Sequence, residues 1–321
     1  MRFKVIEGDA TKVDVDVLAL KYAQSFYGLD AEVAKKLIAS GEPRELYSPP
    51  PGQSRIVSSP QKISARQILF VGTLPLSEVG YLEIRVLARS FLSELADSGP
   101  KTRSLAVTLQ GPNYGLDEAE AFQSMVAGFS DAIETNDYPK ALDSIIMVEE
   151  KPKRAVRLAE LLDVLLPGGV LSPKSRVADR NSRERLRSAG YASSTKPHAF
   201  VAMPFAKAFD DVYRYGIQTA VNKAGLLCER VDHTPFSGDV LSRIKKRIST
   251  AKLLIADLST SSPNVYLEVG FAWASGVDCV LLVKDKAELK FDVSGQRCLT
   301  YESISELEEK LTHELNGLAT Q

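Results

Sequence analysis

The sequence is poor in the residue types that build metal sites and disulfide frameworks. Its 321 residues include three cysteines, three histidines and one tryptophan. Cys228, Cys279 and Cys298 have no CxxC spacing and fall in predicted strands, which predicts small core thiols in a reducing compartment. The histidines are isolated from one another and from the cysteines, so we expect neither a metal site nor a bound cofactor.

An excess of charge of one sign is also missing. The chain carries 40 basic and 41 acidic side chains, for a formal net charge of -1. A neutral chain has no overall field that attracts nucleic acid or an anionic membrane. No stretch approaches the apolar length of a membrane span, and the charged start MRFKVIEGD does not fit a signal peptide. We therefore expect a cytoplasmic protein without a membrane or nucleic-acid partner.

The order of predicted elements divides the chain into two α/β domains. At 321 residues the chain is longer than one average domain. Strands and helices alternate over residues 1–166, which predicts an α/β sandwich, and again over residues 198–321. Residues 167–197 lie between them and are either a patch that contacts phosphate or nucleic acid or a solvated linker. The lack of aromatic residues within the basic run favours the linker.

The second domain contains five predicted strands that alternate with helices, beginning at residues 199–203. This pattern is typical of a doubly wound parallel sheet of flavodoxin-like type with right-handed crossovers. Sheets of this kind bind ligands beyond the carboxyl ends of their strands, because loops and helix N-termini converge there. Polar residues that follow these strands are therefore candidates for a binding site.

The chain is organised around residues 251–276, where two carboxylates flank a polar turn. The apolar run at 253–255 predicts a strand buried on both faces, with Asp257 at its carboxyl end. A helical pattern begins at Asn264 and places Glu268 in its early turns, so both carboxylates are predicted to point toward one crevice. The alternative is that Asp257 caps the serine-rich loop and that Glu268 complements the helix dipole. The small and apolar residues after Glu268 favour a functional carboxylate there.

The beginning of the chain resembles a known family. The motif GDAT at residues 8–11, with a predicted strand over 16–20, resembles the opening of a macro domain, including the macro-like N-terminal domain of leucine aminopeptidases. The loop GPNYG at residues 111–115 follows a strand and precedes a helix, and it resembles a phosphate-cradling turn. The family has an asparagine-rich stretch where this chain has LKYA at residues 20–23. That departure argues against hydrolysis of ADP-ribose adducts.

The resemblance covers roughly residues 1–166 and implies a nucleotide or ADP-ribose-like ligand. The residues implied to bind it are Asp9, Gly111, Asn113 and Gly115. The alternative is that the glycines only build turns.

A second resemblance covers residues 200 to about 283. The segments FVAMPF at 200–205, IADLS at 255–259 and SPNVYLEVGFAWASG at 262–276 resemble nucleoside 2-deoxyribosyltransferase-like and TIR-like domains. In both groups a glutamate of the last motif attacks or stabilises the anomeric carbon of a nucleoside or of NAD. The resemblance implies this catalytic role for Glu268, with Asp257 as the second catalytic carboxylate.

The same resemblance implies a substrate pocket around Glu268. Its candidate residues are Met203, Pro204, Phe205, Phe209, Asp239, Asn264 and Tyr266. Cleavage of an N-glycosidic bond builds positive charge on the sugar, which a carboxylate stabilises. Nicotinamide leaves without a proton donor, whereas a neutral base needs one, for which Asp257 or Asp239 is a candidate. Arg230, Asp232 and His233 are either contacts to ribose or phosphate or solvated loop residues.

We therefore expect a cytoplasmic enzyme that cleaves NAD, which is its substrate rather than a cofactor, with a nucleotide-sensing first domain. The resemblance implies a role in bacterial defence or signalling and a homo-oligomer whose self-association switches activity on. One alternative is a transferase that moves deoxyribose between bases. Another is a module without catalytic activity that binds nucleotides and recruits partners.

Overall fold

The computed structural model describes residues 1–97, 101–171, 180–204, 206–231, 238–260, 262–284, 293 and 298–319. The chain forms two compact units, one made of Met1–Gly111 and Glu118–Ser194, the other of Pro112–Asp117 and Thr195–Gln321. Among the described helices, none has the length and apolarity needed to cross a bilayer.

The first unit is a mixed α/β structure built on a largely parallel sheet. Its strands in the described residues are β1 Arg2–Glu7, β2 Val17–Tyr22, β3 Ser54–Ser58, β4 Gln67–Gly72, β5 Ser104–Val107 and β6 Ser144–Glu149. Its helices are α1 Leu29–Ala39, α2 Tyr81–Asp97, α3 Glu118–Glu134, α4 Pro152–Leu165, α5 Arg180–Ser188 and α6 Tyr191–Thr195. The strand order is β1-β6-β5-β2-β4-β3, and β3 is the antiparallel edge strand. The predicted alternation of strands and helices is confirmed here.

The central strand β2 is buried along its whole length, as expected of a parallel strand covered on both faces. It nevertheless includes Lys21, whose Nζ lies 2.5 Å from a carboxylate oxygen of Asp30 at the start of α1. Both side chains are almost fully buried. Burial raises the pKa of Asp30, while the charge of Lys21 opposes this change. The stretch that departs from the macro-domain pattern therefore contributes a buried ion pair to the core.

The segment predicted as a linker, residues 167–197, contains the two helices α5 and α6. Most residues of α5 are polar, yet its Leu186 is buried. Arg85 of α2 fixes this region, because its Nε and Nη2 bind both carboxylate oxygens of Asp131 at 2.7 Å. Its Nη1 donates to three carbonyl oxygens at the end of α5, those of Leu186, Arg187 and Ala189. Arg85 and these carbonyl groups lie far apart in the sequence, so local composition could not predict their hydrogen bonds.

The second unit is built on a sheet whose strands in the described residues are all parallel. They are β7 His198–Ala202, β8 Leu227–Glu229, β9 Leu253–Asp257, β10 Asp278–Val283 and β11 Cys298–Thr300. The helices are α7 Thr219–Lys223, α8 Gly238–Ser249, α9 Pro263–Ala274 and α10 Ile304–Ala319. The strand order is β11-β10-β9-β7-β8. The chain passes from β7 to the edge strand β8 and then returns to the other side of β7, where it forms β9, β10 and β11 in turn. The strand order therefore reverses between β7 and β9, which are neighbours.

The helix predicted after the first strand of this unit is not a regular α-helix. Residues Val212–Gln218 form a π-helix that continues into α7. Gly216 lies where a Cβ atom would come within 2.7 Å of Leu307 Cδ2 on α10. The glycine thus permits close packing of these two helices, and the apolar periodicity did not distinguish a π-helix from an α-helix.

The three cysteines occupy strands, as predicted. Cys228 lies in β8 and is buried, whereas Cys279 in β10 and Cys298 in β11 are half-buried, and none of the three forms a disulfide bond. Burial raises the pKa of Cys228, and it raises the pKa of Cys279 to about 11. The thiols of Cys228 and Cys279 are therefore neutral and poorly nucleophilic.

Candidate functional site

In the second unit the strand order reverses between the neighbouring strands β7 and β9. The segments that follow the carboxyl ends of these two strands therefore lead to opposite sides of the sheet. In open parallel sheets this is the place where ligands bind, because the connections from the two strands leave in opposite directions. The described residues that follow or end the strands here are Met203 after β7, Arg230 after β8, Asp257 in β9 and Lys284 after β10. We call this set the carboxyl edge.

Glu268 lies in the second turn of α9, the helix that begins shortly after the carboxyl end of β9. The helix starts at Pro263 and packs Val265 and Val269 against the sheet. The side chain of Glu268 is half-buried, and no hydrogen bond or ion pair joins it to the described residues. Burial raises the pKa of Glu268 to about 8. This carboxyl group is consequently neutral over much of the physiological pH range.

The pKa of Glu268 distinguishes its two interpretations, a side chain that complements the helix dipole and a functional carboxyl group. A carboxylate placed only to complement the helix dipole would be solvated and ionised, and the positive end of the dipole would lower its pKa. The pKa of Glu268 is instead raised well above its usual range. Carboxyl groups with a strongly raised pKa are enriched at catalytic sites, because their proton can be lost or donated near neutral pH. Glu268 is thus the strongest functional candidate of the second unit.

Asp257 forms its side-chain hydrogen bonds within the second unit. Its side chain is fully buried, its Oδ1 accepts a hydrogen bond from the Ser259 amide at 2.9 Å, and its Oδ2 accepts one from Tyr301 Oη at 2.6 Å. Burial and the nearby charge of Asp257 raise the pKa of Tyr301. These hydrogen bonds fit the loop-capping alternative. A catalytic role for Asp257 stays a prediction.

Replacing Tyr301 with phenylalanine should lower the free energy of unfolding by about 1–3 kcal/mol, because a buried carboxylate oxygen loses its hydrogen-bond donor. Urea denaturation measures this change. Tyr215→Phe is a matched control, since the Tyr215 ring is 57% exposed. Equal stability of the two variants would contradict the structural role assigned to the Asp257–Tyr301 pair.

The other predicted pocket residues fall into three groups. Met203 and Phe209 are buried in the core of the second unit, and their role in substrate binding stays a prediction. Pro204, Asn264 and Tyr266 are half-buried, with the last two on the first turn of α9 beside Glu268. Phe205, Asp232, His233 and the side chain of Asp239 lie outside the described residues.

Lys284 belongs to the carboxyl edge but was not a sequence candidate. Its Nζ lies 5.8 Å from the centroid of the Phe209 ring and 5.7 Å from that of the Tyr301 ring. Its amide donates to Ser259 Oγ at 3.0 Å, which ties the end of β10 to the loop after β9. The signal available in the sequence was its position directly after a buried strand.

In the first unit, Asp9 caps a short 3-10 helix, Ala10–Lys12. Its Oδ1 accepts from the Thr11 amide at 2.9 Å and from Thr11 Oγ1 at 2.7 Å. Its Oδ2 lies 3.2 Å from Lys12 Nζ. The hydrogen bonds from Thr11 lower the pKa of Asp9. The geometry explains this aspartate as a capping residue, and its role in ligand binding stays a prediction.

The predicted phosphate-cradling loop does not belong to one unit. Gly111 lies in the first, whereas Asn113 and Gly115 lie in the second. Within the second unit, Tyr114 forms an antiparallel bridge with Val231, and its carbonyl oxygen accepts from Arg243 Nε. Gly115 has a φ of 102°, in the left-handed region that favours glycine. Tyr114 thus bridges to a residue just after β8, and ligand binding by Gly111, Asn113 and Gly115 stays a prediction.

Comparison with known proteins gives a match to the macrodomain of Trypanosoma brucei. Its complex with ADP is 14% identical, with a TM-score of 0.36, over 50% of this chain and 69% of that chain. Its complex with ADP-ribose is 14% identical, with a TM-score of 0.38, over the same shares. No family model and no curated protein matches the chain. The two nucleotides are ligands of the Trypanosoma protein.

The carboxyl edge contains the acid Asp257 and two basic residues, Arg230 and Lys284, and the helix α9 that follows β9 adds a second acid, Glu268. Glu268 can hold or release a proton near neutral pH, whereas Arg230 and Lys284 are positively charged. A nearby charge changes the pKa of a half-buried carboxyl group strongly, because its surroundings screen electrostatic interactions less than water does. A cationic sugar derivative is a ligand that would favour ionisation of Glu268.

Proposed function

We propose that the second unit is an N-glycosidase that cleaves NAD between nicotinamide and ribose. The proposal is supported chiefly by Glu268, a half-buried carboxyl group with a pKa of about 8 in the helix that follows β9, for which the described residues supply no hydrogen bond or ion pair. It is also supported by the resemblance of residues 200–283 to TIR-like domains. The sheet order is that expected of a flavodoxin-like unit, which we include in the proposal.

In the proposed reaction the C1′–N bond breaks and its electron pair passes to the pyridinium nitrogen. Nicotinamide leaves as a neutral molecule, so this leaving group needs no proton. The ribose ring carries the positive charge in an oxocarbenium-like transition state, which an ionised Glu268 stabilises. Water adds to C1′ and loses a proton. The overall change converts NAD⁺ and water into ADP-ribose, nicotinamide and H⁺.

The raised pKa of Glu268 fits a cationic substrate. In the free protein, burial keeps the carboxyl group neutral below about pH 8. The pyridinium charge favours the ionised form when NAD binds, and the charge on the ribose favours it further in the transition state. The carboxylate thus gains interaction energy as the reaction proceeds, which is the condition for catalysis rather than mere binding.

A second candidate is a nucleoside 2-deoxyribosyltransferase, which the same observation supports. Glu268 has the same role in this reaction, in which it attacks or stabilises the anomeric carbon. The departing base of an uncharged nucleoside also needs a proton, for which Asp257 or Asp239 is the candidate donor. The two candidates therefore share Glu268 and differ in their need for a proton donor.

Incubation of the purified full-length chain with NAD, and separately with a deoxynucleoside plus a free base, distinguishes them. The proposal expects release of nicotinamide with formation of ADP-ribose, detected by chromatography. Base exchange without release of nicotinamide would reject the NAD-cleaving function and favour the transferase.

The proposal has a broader part that rests on sequence resemblance. We propose that the first unit binds a nucleotide that regulates the second, in a self-associating cytoplasmic protein of bacterial defence or signalling. Asp9 remains the candidate ligand residue of the first unit. Equilibrium dialysis with ADP-ribose tests this part, because unchanged binding by Asp9→Asn would exclude that residue.

A further inference from the structure

Helix α9 is apolar on nearly all sides, although only one of its sides is buried. The buried side is formed by Val265, Val269 and Ala272. The opposite side is formed by the exposed residues Pro263, Leu267, Gly270 and Ala274, with the half-buried Phe271 and the exposed Trp273 beside them. We call these six residues the outer face of α9. A surface helix ordinarily has charged or polar residues opposite its buried side, whereas a helix that is apolar all round is buried. The composition of α9 therefore fits a helix that another molecule covers.

The outer face has the residue spacing of paired helices. Pro263, Leu267, Gly270 and Ala274 follow one another at intervals of four, three and four residues, which places them in one line along the helix. Helices of coiled coils pair along lines of this spacing. Leu267 is 67% exposed, the highest value among the large apolar side chains in the described part of the chain. The line therefore presents a large side chain to a partner helix.

Nothing in the described residues requires glycine at position 270. Gly270 lies inside the helix, where glycine lowers the folding equilibrium constant by roughly two- to fivefold relative to alanine. A Cβ atom added there would meet no atom within 4 Å, and the φ angle is not left-handed. Glycine also occurs where another backbone approaches closely. Gly270 thus indicates the close approach of a helix from outside the chain.

The charge distribution of α9 favours a second copy of this chain as the partner. The outer face has no ionisable side chain, and Glu268 lies two positions from Gly270, on another side of the helix. A two-fold interface brings the same patch of each copy together, so a charged patch would meet its own sign. An uncharged patch is complementary to itself. A membrane surface instead attracts helices rich in basic residues, and α9 contains neither lysine nor arginine.

We infer that the outer face of α9 binds the outer face of α9 in a second copy of the chain, forming a two-fold dimer. The inference rests on the self-association included in the proposed function and names the surface responsible for it. The same helix carries Glu268, so the interface and the candidate catalytic residue share one element. A pair of helices of this length covers less than the roughly 800 Å² per partner of a standard interface, so we expect a reversible dimer with a roughly micromolar Kd.

Sedimentation velocity of the full-length chain over a range of concentrations measures this Kd. Leu267→Lys should raise it by roughly 10- to 100-fold, because two like charges would meet in an apolar interface. Tyr215→Lys is the matched control, since Tyr215 is a 57% exposed apolar side chain of the same unit outside α9. It should leave the Kd unchanged. Equal Kd values for the two variants would overturn the inference.

A pair of glycine substitutions tests the close approach itself. Gly270→Ala and Gly317→Ala each add one methyl group at an exposed position inside a helix, where it meets no atom within 4 Å. Both should raise the urea midpoint of the dilute protein, because alanine favours helix. Only Gly270→Ala should raise the Kd, by about tenfold, because its methyl group would separate the paired helices. Equal Kd values for these variants would overturn the pairing.

Trp273 provides a direct probe of the outer face, because it is the single tryptophan of the sequence. Its side chain is 42% exposed in one chain and should lose contact with water in the dimer. Dilution of the wild type below the Kd should therefore shift its fluorescence to longer wavelength. Leu267→Lys should show the longer wavelength at all these concentrations. Identical spectra of the wild type at high and low concentration would contradict the inference.

These measurements need no substrate, so the inference can fail separately from NAD cleavage. A wild type that stays monomeric overturns the inference even if it releases nicotinamide, whereas a dimer weakened by Leu267→Lys supports it even without cleavage. A monomeric wild type that sediments with vesicles of phosphatidylcholine and phosphatidylserine would overturn it in favour of a lipid surface. Should Leu267→Lys not fold, as judged by circular dichroism, Gly270→Ala provides the same comparison.

Discussion

Replacing Glu268 with glutamine should lower the rate of nicotinamide release by about 100- to 1,000-fold. Glutamine preserves the size of the side chain but cannot carry the negative charge that stabilises the developing cation on ribose. The loss should appear in kcat rather than in KM, because the interaction strengthens in the transition state. Steady-state kinetics with NAD measure it.

The matched control is Glu309→Gln on α10, which removes an exposed carboxylate of the same unit. It should leave turnover unchanged. If Glu268→Gln turned over NAD as fast as Glu309→Gln, the second unit would use another group for catalysis. A wild type without detectable turnover, together with intact nucleotide binding, would favour the alternative of a module without catalytic activity.

The stability of the protein should fall as the pH rises toward 8, and Glu268 should cause part of this fall. Its pKa is about 8 in the folded protein, compared with an ordinary value of 4.5. Between these values the folded state binds more protons than the unfolded state, so the free energy of unfolding decreases with rising pH. The slope contributed by one such group is at most about 1.4 kcal/mol per pH unit, and it vanishes above pH 8 and below pH 4.5.

Other groups contribute slopes of their own, so the comparison of wild type with Glu268→Gln isolates this one. Burial also raises the pKa of Asp30, which adds a slope of the same sign. Burial lowers the pKa of His198, which makes stability fall as the pH drops below the ordinary histidine value. Urea denaturation at pH 5, 6, 7 and 8 should show the variant gaining stability relative to the wild type at each step. A constant difference between the two proteins would mean that Glu268 is ionised throughout.

The sequence predicted the alternation of elements well, because buried parallel strands appear as short apolar runs. β9 illustrates this, since residues 253–255 predicted a strand that ends at Asp257, where β9 does end. The position of Glu268 in an early turn of α9 followed from the same stretch. The local pattern of apolar residues was sufficient to predict those elements that bury these residues against their neighbours.

Contacts between residues far apart in sequence could not be predicted. The hydrogen bond of Asp257 comes from Tyr301, and the polar helix α5 is fixed by Arg85. The loop around Tyr114 pairs with Val231, although its sequence suggested a phosphate-binding turn. In each case the partner lies many residues away, and a single sequence gives no information on the distance between them.

The most direct test of the central claim is the pH dependence of kcat/KM for NAD between pH 6 and pH 9. This parameter reports the ionisation of groups in the free enzyme. The account predicts that kcat/KM rises with pH and levels off above an apparent pKa of about 8, the value given by burial of Glu268, and that Glu268→Gln abolishes the rise. A profile that falls through this pKa, or one that is unchanged in Glu268→Gln, would contradict the claim that ionised Glu268 drives cleavage.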